Sequence, residues 1–159
     1  MKLSFEKTAI KYQINEEERE TLLTEFLIDH KPLSEIIGIE RSLCFYETEF
    51  DYSKDRKSMA IKQFMGEFKP INQFTSDRII LYRCHCGCDY CGVISFRLVI
   101  ENNIVIWKDI AYEDSDGFGN NSQEGLENEE RITTKITELS FDKKDYFAEL
   151  IQIGKNNWN

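Results

Sequence analysis

Four of the five cysteines fall within eight positions, in the run Cys84-His85-Cys86-Gly87-Cys88-Asp89-Tyr90-Cys91-Gly92. Thiols packed this densely suit two kinds of chemistry. The first is metal binding. Zn2+ takes four sulfur or nitrogen ligands in a tetrahedron, and Cys88-x-x-Cys91-Gly92 has the form of a zinc knuckle. In such a knuckle a tight turn aims two thiolates at one ion, and the glycine lets backbone N–H groups approach sulfur. Cys84 and Cys86 lie two apart at a strand end and so point to one side. Cys84, Cys86, Cys88 and Cys91 are therefore the candidate metal set, with His85 or Cys44 as substitutes. The second is redox or nucleophilic thiol chemistry. A reactive thiolate needs stabilisation of the kind a helix N-terminus supplies, and this CxxC lies between strands. A third reading is chemically silent: small residues closing a hairpin corner. On the residues alone the three stand side by side, and the cofactor expectation is zinc or none.

Other catalytic constellations are missing from the sequence. There are two histidines, His30 and His85, and no nucleophile elbow, phosphate loop or dinucleotide fingerprint. Of the many acidic pairs, Asp109 and Glu113 near Trp107 lie close to predicted strands; the rest fall in runs that read as solvated faces. An enzyme is the less favoured class.

The elements that must position the cysteines are the strands on either side. Arg78–Tyr82 is short and rich in β-branched residues. Val93–Ile100 alternates, with Ile94, Phe96, Leu98 and Ile100 facing the core. Asn102-Asn103 suits a two-residue hairpin turn, because Asn tolerates positive φ, and Ile104–Tyr112 returns as an antiparallel strand containing Trp107. Upstream, Leu3–Ile14 reads as a strand. Asn15 then looks like the N-cap of a helix over Glu16–Asp29, with Glu18 as capping-box partner and Leu22, Leu23, Phe26 and Leu27 in one stripe. Pro32 interrupts it, and Leu33, Ile36 and Ile37 suggest a short helical turn ending at Gly38. Ser42–Phe50 is compatible with a strand holding Cys44, Asp51–Lys57 with a loop, and Lys57–Phe68 with a weak helix. Glu113–Glu130 carries seven acidic residues and no basic one, which predicts a solvated excursion. Ile132–Phe141 recovers strand character. Asp142 caps a final helix with Tyr146, Phe147, Leu150 and Ile151 on its apolar face, ending at Gly154. Residues 1–159 thus read as a single α+β domain, mainly an antiparallel sheet with helices packed on one face.

Composition narrows the function. Hydrophobic residues make up 41% and aromatics 13% of the 159 residues, enough to build a core without staples. The formal charge is −9, from 29 acidic against 20 basic residues. Nucleic-acid binders need a basic face to displace counterions, so this balance argues against them, and equally against docking on anionic lipid. No apolar run spans a bilayer, and the N-terminus is too charged for a signal peptide. A cytoplasmic protein with reduced thiols is expected.

The pattern Leu81-Tyr82-x-Cys84-x-Cys86-Gly87-x-x-x-Cys91-Gly92, followed by Val105-x-Trp107-x-x-x-x-Tyr112-Glu113, resembles a family of small uncharacterised bacterial proteins. These have a Cys-Gly-x-x-x-Cys-Gly turn and then a Trp-containing strand. Pro32-Leu33-Ser34-Glu35 and Phe141-Asp142-x-x-x-Tyr146 are similar as well. The resemblance implies a bacterial source and brings no established activity with it.

The function expected from charge is a non-catalytic acidic binding protein of the immunity or antitoxin type, which covers a basic toxin by electrostatic steering. Its contacts would be Glu47, Glu49 and Asp51, with Asp114, Asp116, Glu124 and Glu127 from the acidic excursion. The alternative is a small zinc-binding or thiol-dependent enzyme centred on Cys84–Cys91.

Overall fold

Asn15 and Glu16 both hold positive φ, 52° and 67°, as type I′ hairpin turns require. They join β1 (Leu3–Ile14) to β2 (Glu17–Ile28), which pair antiparallel from Leu3↔Ile28 to Ile14↔Glu17. The helix expected over Glu16–Asp29 is therefore a strand, and Asn15 is a turn residue instead of a cap. The stripe of Leu22, Leu23, Phe26 and Leu27 fits helical spacing only because the second half of β2 is covered on both faces. Leu23, Thr24, Glu25 and Phe26 are buried in succession while Leu22 is 65% exposed. Strand pairing overrides the local period. Asp29 and His30 repeat the positive-φ turn and return the chain as β3 (Lys31–Pro32) on the free edge of β2.

The computed structural model describes residues 1–42, 46–118 and 134–156. After β3 comes the short helix α1 (Leu33–Ile37), which ends at Gly38 with φ 81°. The strand expected over Ser42–Phe50 is not formed among its described residues, and Cys44 lies outside them. Glu47 makes a single bridge to Arg83, and Glu49–Asp51 is a 3₁₀ turn. Thr48 and Asp51 cap that turn reciprocally, which takes the Thr48 and Phe50 N–H groups away from any ladder. The expected loop over Asp51–Lys57 gives way to helix at Lys54, because Ser53 accepts from the Arg56 N–H as an N-cap. Helix α2 runs Lys54–Phe64.

The second sheet contains β4 (Ile79–Arg83), β5 (Val93–Glu101), β6 (Ile104–Asp114) and β7 (Gly117–Phe118) in that order, with β8 (Leu139–Asp142) also on the β6 edge. Asn102, with φ 49°, makes the expected tight turn between β5 and β6. The strand expected over Ile132–Phe141 is shortened to β8; residues 134–138 are irregular. Helix α3 (Lys143–Lys155) starts at Asp142, whose carboxylate accepts from the Asp145 N–H at 3.1 Å. It runs past Gly154, and Ile151 is half exposed while Ile153 is buried.

The protein is thus one α+β domain with its strands divided between two antiparallel sheets. Phe26 of β2, Phe64 of α2, Phe96 of β5 and Trp107 of β6 meet at its centre, with neighbouring ring centroids 4.7–6.1 Å apart. Buried polar groups join the layers. Trp107 Nε1–H donates to the Tyr146 hydroxyl at 3.0 Å, and that hydroxyl donates to the Phe64 carbonyl at 2.8 Å. The Tyr82 hydroxyl of the second sheet donates to Glu25 of the first, which also accepts from Ser34 at 2.6 Å.

Candidate metal centre

Arg83 and Val93 form the last pair of the β4–β5 ladder, so residues 84–92 are the connection that two strands hold at both ends. The backbone closes on itself twice within it. Gly87 N–H donates to the Cys84 carbonyl at 3.0 Å, with Gly87 at φ 77°. A 3₁₀ turn over Asp89–Cys91 follows, closed by Gly92 N–H to the Asp89 carbonyl at 3.0 Å. Gly92 leaves the turn at φ 140°, and a side chain at either glycine would strain the backbone.

This path brings Cys84, Cys86 and Cys91 together, with all three Sγ atoms within 4.8 Å of one another. Cys86 and Cys91 Sγ are hydrogen-bonded at 3.3 Å. Thiolates on a tetrahedral zinc, at Zn–S of about 2.3 Å, stand roughly 3.8 Å apart. The cluster already has that scale. Cys84 is buried, while Cys86 and Cys91 are exposed. Cys88, the fourth member of the expected set, is outside the cluster; it stands half-buried at the head of the 3₁₀ turn. Of the expected substitutes, Cys44 lies outside the described residues and His85 is not part of the cluster. His85 Nδ1 lies 3.8 Å from Cys84 Sγ, but its ring is stacked on Tyr46 at 5.1 Å, and Tyr46 stacks in turn on Tyr12 of β1 at 5.2 Å.

The two exposed thiols are electrostatically unequal. A hydrogen bond from the Cys88 backbone N–H is the main reason the Cys86 thiol sits below its ordinary pKa. The hydrogen bond to Cys86 pushes the Cys91 thiol up to about 11.

The anchor of the turn carries no motif in the sequence. Asp89 is only 1% exposed, and three groups answer its carboxylate and its backbone. Arg83 Nε donates to Oδ1 at 2.6 Å, the Gln73 backbone N–H donates to Oδ2 at 2.6 Å, and Asp89's own N–H donates to Gln73 Oε1 at 2.7 Å. Tyr90 adds a hydrogen bond from its hydroxyl to the Gln73 carbonyl at 2.9 Å and an edge contact with Phe74. Arg83 also pairs with Glu49, which Arg56 holds through two nitrogens at 3.1 and 2.9 Å. Burial opposes the Arg83 charge, but Glu49 and Asp89 together outweigh it and hold the guanidinium above its ordinary pKa. A cleft of about 500 Å³ opens beside this network, lined by Arg56, Gln73, Arg83, Gly87 and Asp89 among others.

The acidic residues expected to meet a partner are scattered. The Glu49 and Asp51 side chains are 12% and 3% exposed, the first in ion pairs with Arg56 and Arg83, the second beside Lys7 and accepting from the Thr24 N–H at 2.7 Å. Glu47 is half-buried where its backbone bridges Arg83. Asp114 ends β6, accepting from the Tyr112 hydroxyl at 2.7 Å and the Asp116 N–H at 2.8 Å, and Asp116 is exposed. Glu124 and Glu127 lie outside the described residues. Asp109 and Glu113 line a separate cleft of about 550 Å³ with Arg78. There the β5–β6 ladder shifts register and Asp109 takes φ 52°. Arg78 donates to Ser95 Oγ at 2.9 Å, to the Ser95 carbonyl at 3.0 Å and to the Asp109 carbonyl, which gives this buried arginine the task of satisfying the bulge.

No described helix is long and apolar enough to cross a membrane. Comparison of the chain with protein-family models, with curated proteins and with solved structures found no match.

Proposed function

We propose that the protein is a zinc-binding protein whose Cys84, Cys86 and Cys91 hold one Zn2+ as thiolates. The observation that carries this reading is the three-sulfur cluster itself, built by one turn and drawn to within 4.8 Å. Cys88, in the same turn, is the local thiol left to complete a four-sulfur set; otherwise the fourth position is open to water or to a group from outside. Bound zinc would supply a rigid, doubly charged centre that fixes the turn. The residues around the sulfurs favour a structural role over catalysis. The Asp89 carboxylate is fully engaged by Arg83 and Gln73, and His85 lies flat on Tyr46, so neither is placed to move a proton at an open coordination position.

Elemental analysis of the purified protein, beside a Cys86→Ser/Cys91→Ser variant, tests the reading. One equivalent of zinc in the protein and none in the variant is the expected result. Co2+ substitution then counts thiolates through sulfur-to-metal charge-transfer absorbance. Protein that is metal-free as purified and takes up no zinc overturns the proposal.

A further inference from the structure

Resting on the zinc reading, we infer that Cys86 and Cys91 are a peroxide-sensitive pair, whose oxidation to a disulfide empties the metal site. The two sulfurs stand 3.3 Å apart and both residues are exposed, whereas Cys84 is only 6% exposed. A disulfide requires about 2.05 Å between sulfurs, so the pair must close by little more than one ångström. The turn has room for that movement. Apart from its chain neighbours Cys86 and Cys88, no heavy atom lies within 4 Å of where a Cβ on Gly87 would stand, and so nothing else packs on the apex beside Cys86. The Cys91 side is held instead, because the 3₁₀ turn is tied through Asp89 to Arg83 and Gln73. Oxidation therefore swings Cys86 onto a fixed Cys91.

The chemistry balances with hydrogen peroxide as oxidant. One sulfur of the pair attacks peroxide oxygen; an S–O bond forms, the O–O bond breaks, and hydroxide leaves as water after taking a proton. The second sulfur attacks the resulting sulfenic acid; the S–S bond forms, the S–O bond breaks, and a second water leaves. Two electrons pass from the sulfurs to peroxide. The site is left with Cys84 as its one remaining cluster thiolate, too few ligands to retain zinc.

The test treats the zinc-loaded protein with hydrogen peroxide and follows free zinc with a colorimetric chelator. Differential alkylation and fragment mass spectrometry locate the oxidised cysteines. The expected result is release of one equivalent of zinc, in step with a Cys86–Cys91 disulfide, and zinc uptake again after reduction with dithiothreitol. Retention of zinc under excess peroxide overturns the inference and leaves the zinc reading intact. So does release accompanied by a different disulfide or by sulfinic acid. A protein that never binds zinc fails the metal reading, and this inference falls with it.

Discussion

Asp89 and Gln73 hold each other by an exchange of hydrogen bonds, each backbone N–H donating to the other's side chain, at 2.6 Å to Asp89 Oδ2 and at 2.7 Å to Gln73 Oε1. The exchange resembles one rung of an antiparallel ladder, made where there is no strand. It ties the cysteine turn to the segment before β4, and Arg83 ties the same carboxylate to β4 itself. The turn is therefore held by the fold, independently of its sulfurs.

Asp89→Ala removes that anchor. It removes the side-chain acceptor of the Gln73 N–H and takes one of two carboxylates from the buried Arg83 guanidinium, a change expected to cost about 3 kcal/mol. Asp89→Asn, which still accepts one hydrogen bond, is expected to lose less. Urea unfolding of the two variants measures the difference, and equal stability of Asp89→Ala and the parent would refute the anchoring role.

Tyr146→Phe tests the core relay. The hydroxyl is the acceptor for Trp107 Nε1–H and the donor to the Phe64 carbonyl, both in a site with no exposure to speak of. Removing it leaves a buried donor and a helix-end acceptor unanswered, at a cost of about 2–3 kcal/mol. The signature is a lowered urea midpoint with an unchanged slope.

How much of this was legible follows from what each element depends on. The β5–β6 hairpin could be read because Ile94, Phe96, Leu98 and Ile100 alternate and Asn102 supplies the turn. The last helix could be read because Asp142 caps it locally. Strand β2 could not, since burial of Leu23 through Phe26 on both faces erases the period of two, and Asn15 before a run of acids looks like a cap. Three of the four expected cysteines meet; Cys88 stands apart at the head of the 3₁₀ turn, a placement that spacing does not encode. Asp89, Gln73 and Arg83 are not legible in the sequence, because a buried charge becomes recognisable only with its partners, and those lie on separate elements. Net charge suggested an acidic contact surface, yet Glu49 and Asp51 direct their charge at Arg83, Arg56 and Lys7 within the chain.

The first hairpin offers a gain in stability. Glu16 sits at φ 67°, where a Cβ costs about 1–2 kcal/mol and glycine costs little. Glycine also adds freedom to the unfolded chain, which returns part of that. Glu16→Gly is expected to stabilise by about 0.5 kcal/mol, whereas Glu16→Ala, which keeps the Cβ, is expected to give no gain. Thermal unfolding by circular dichroism compares them, and a Gly variant less stable than the Ala variant would contradict the positive-φ turn.

Metal removal is expected to loosen the turn without unfolding the protein. In small zinc domains the metal provides roughly 10 kcal/mol or more of folding free energy, and chelation denatures them. Here Phe26, Phe64, Phe96 and Trp107 build a buried core in the two sheets and α2, and Asp89 fixes the turn through Arg83 and Gln73. A chelator should leave far-UV circular dichroism unchanged and lower the thermal midpoint modestly. Hydrogen exchange should quicken at the Gly87, Cys91 and Gly92 amides, whose hydrogen bonds to Cys84, Cys88 and Asp89 lie inside the turn. The amides of β5 and β6 between Leu98 and Trp107, held by their own ladder, should keep their protection. Cooperative loss of all signals on chelation would mean that zinc organises the core, and the independence of the fold from its metal would have to be given up.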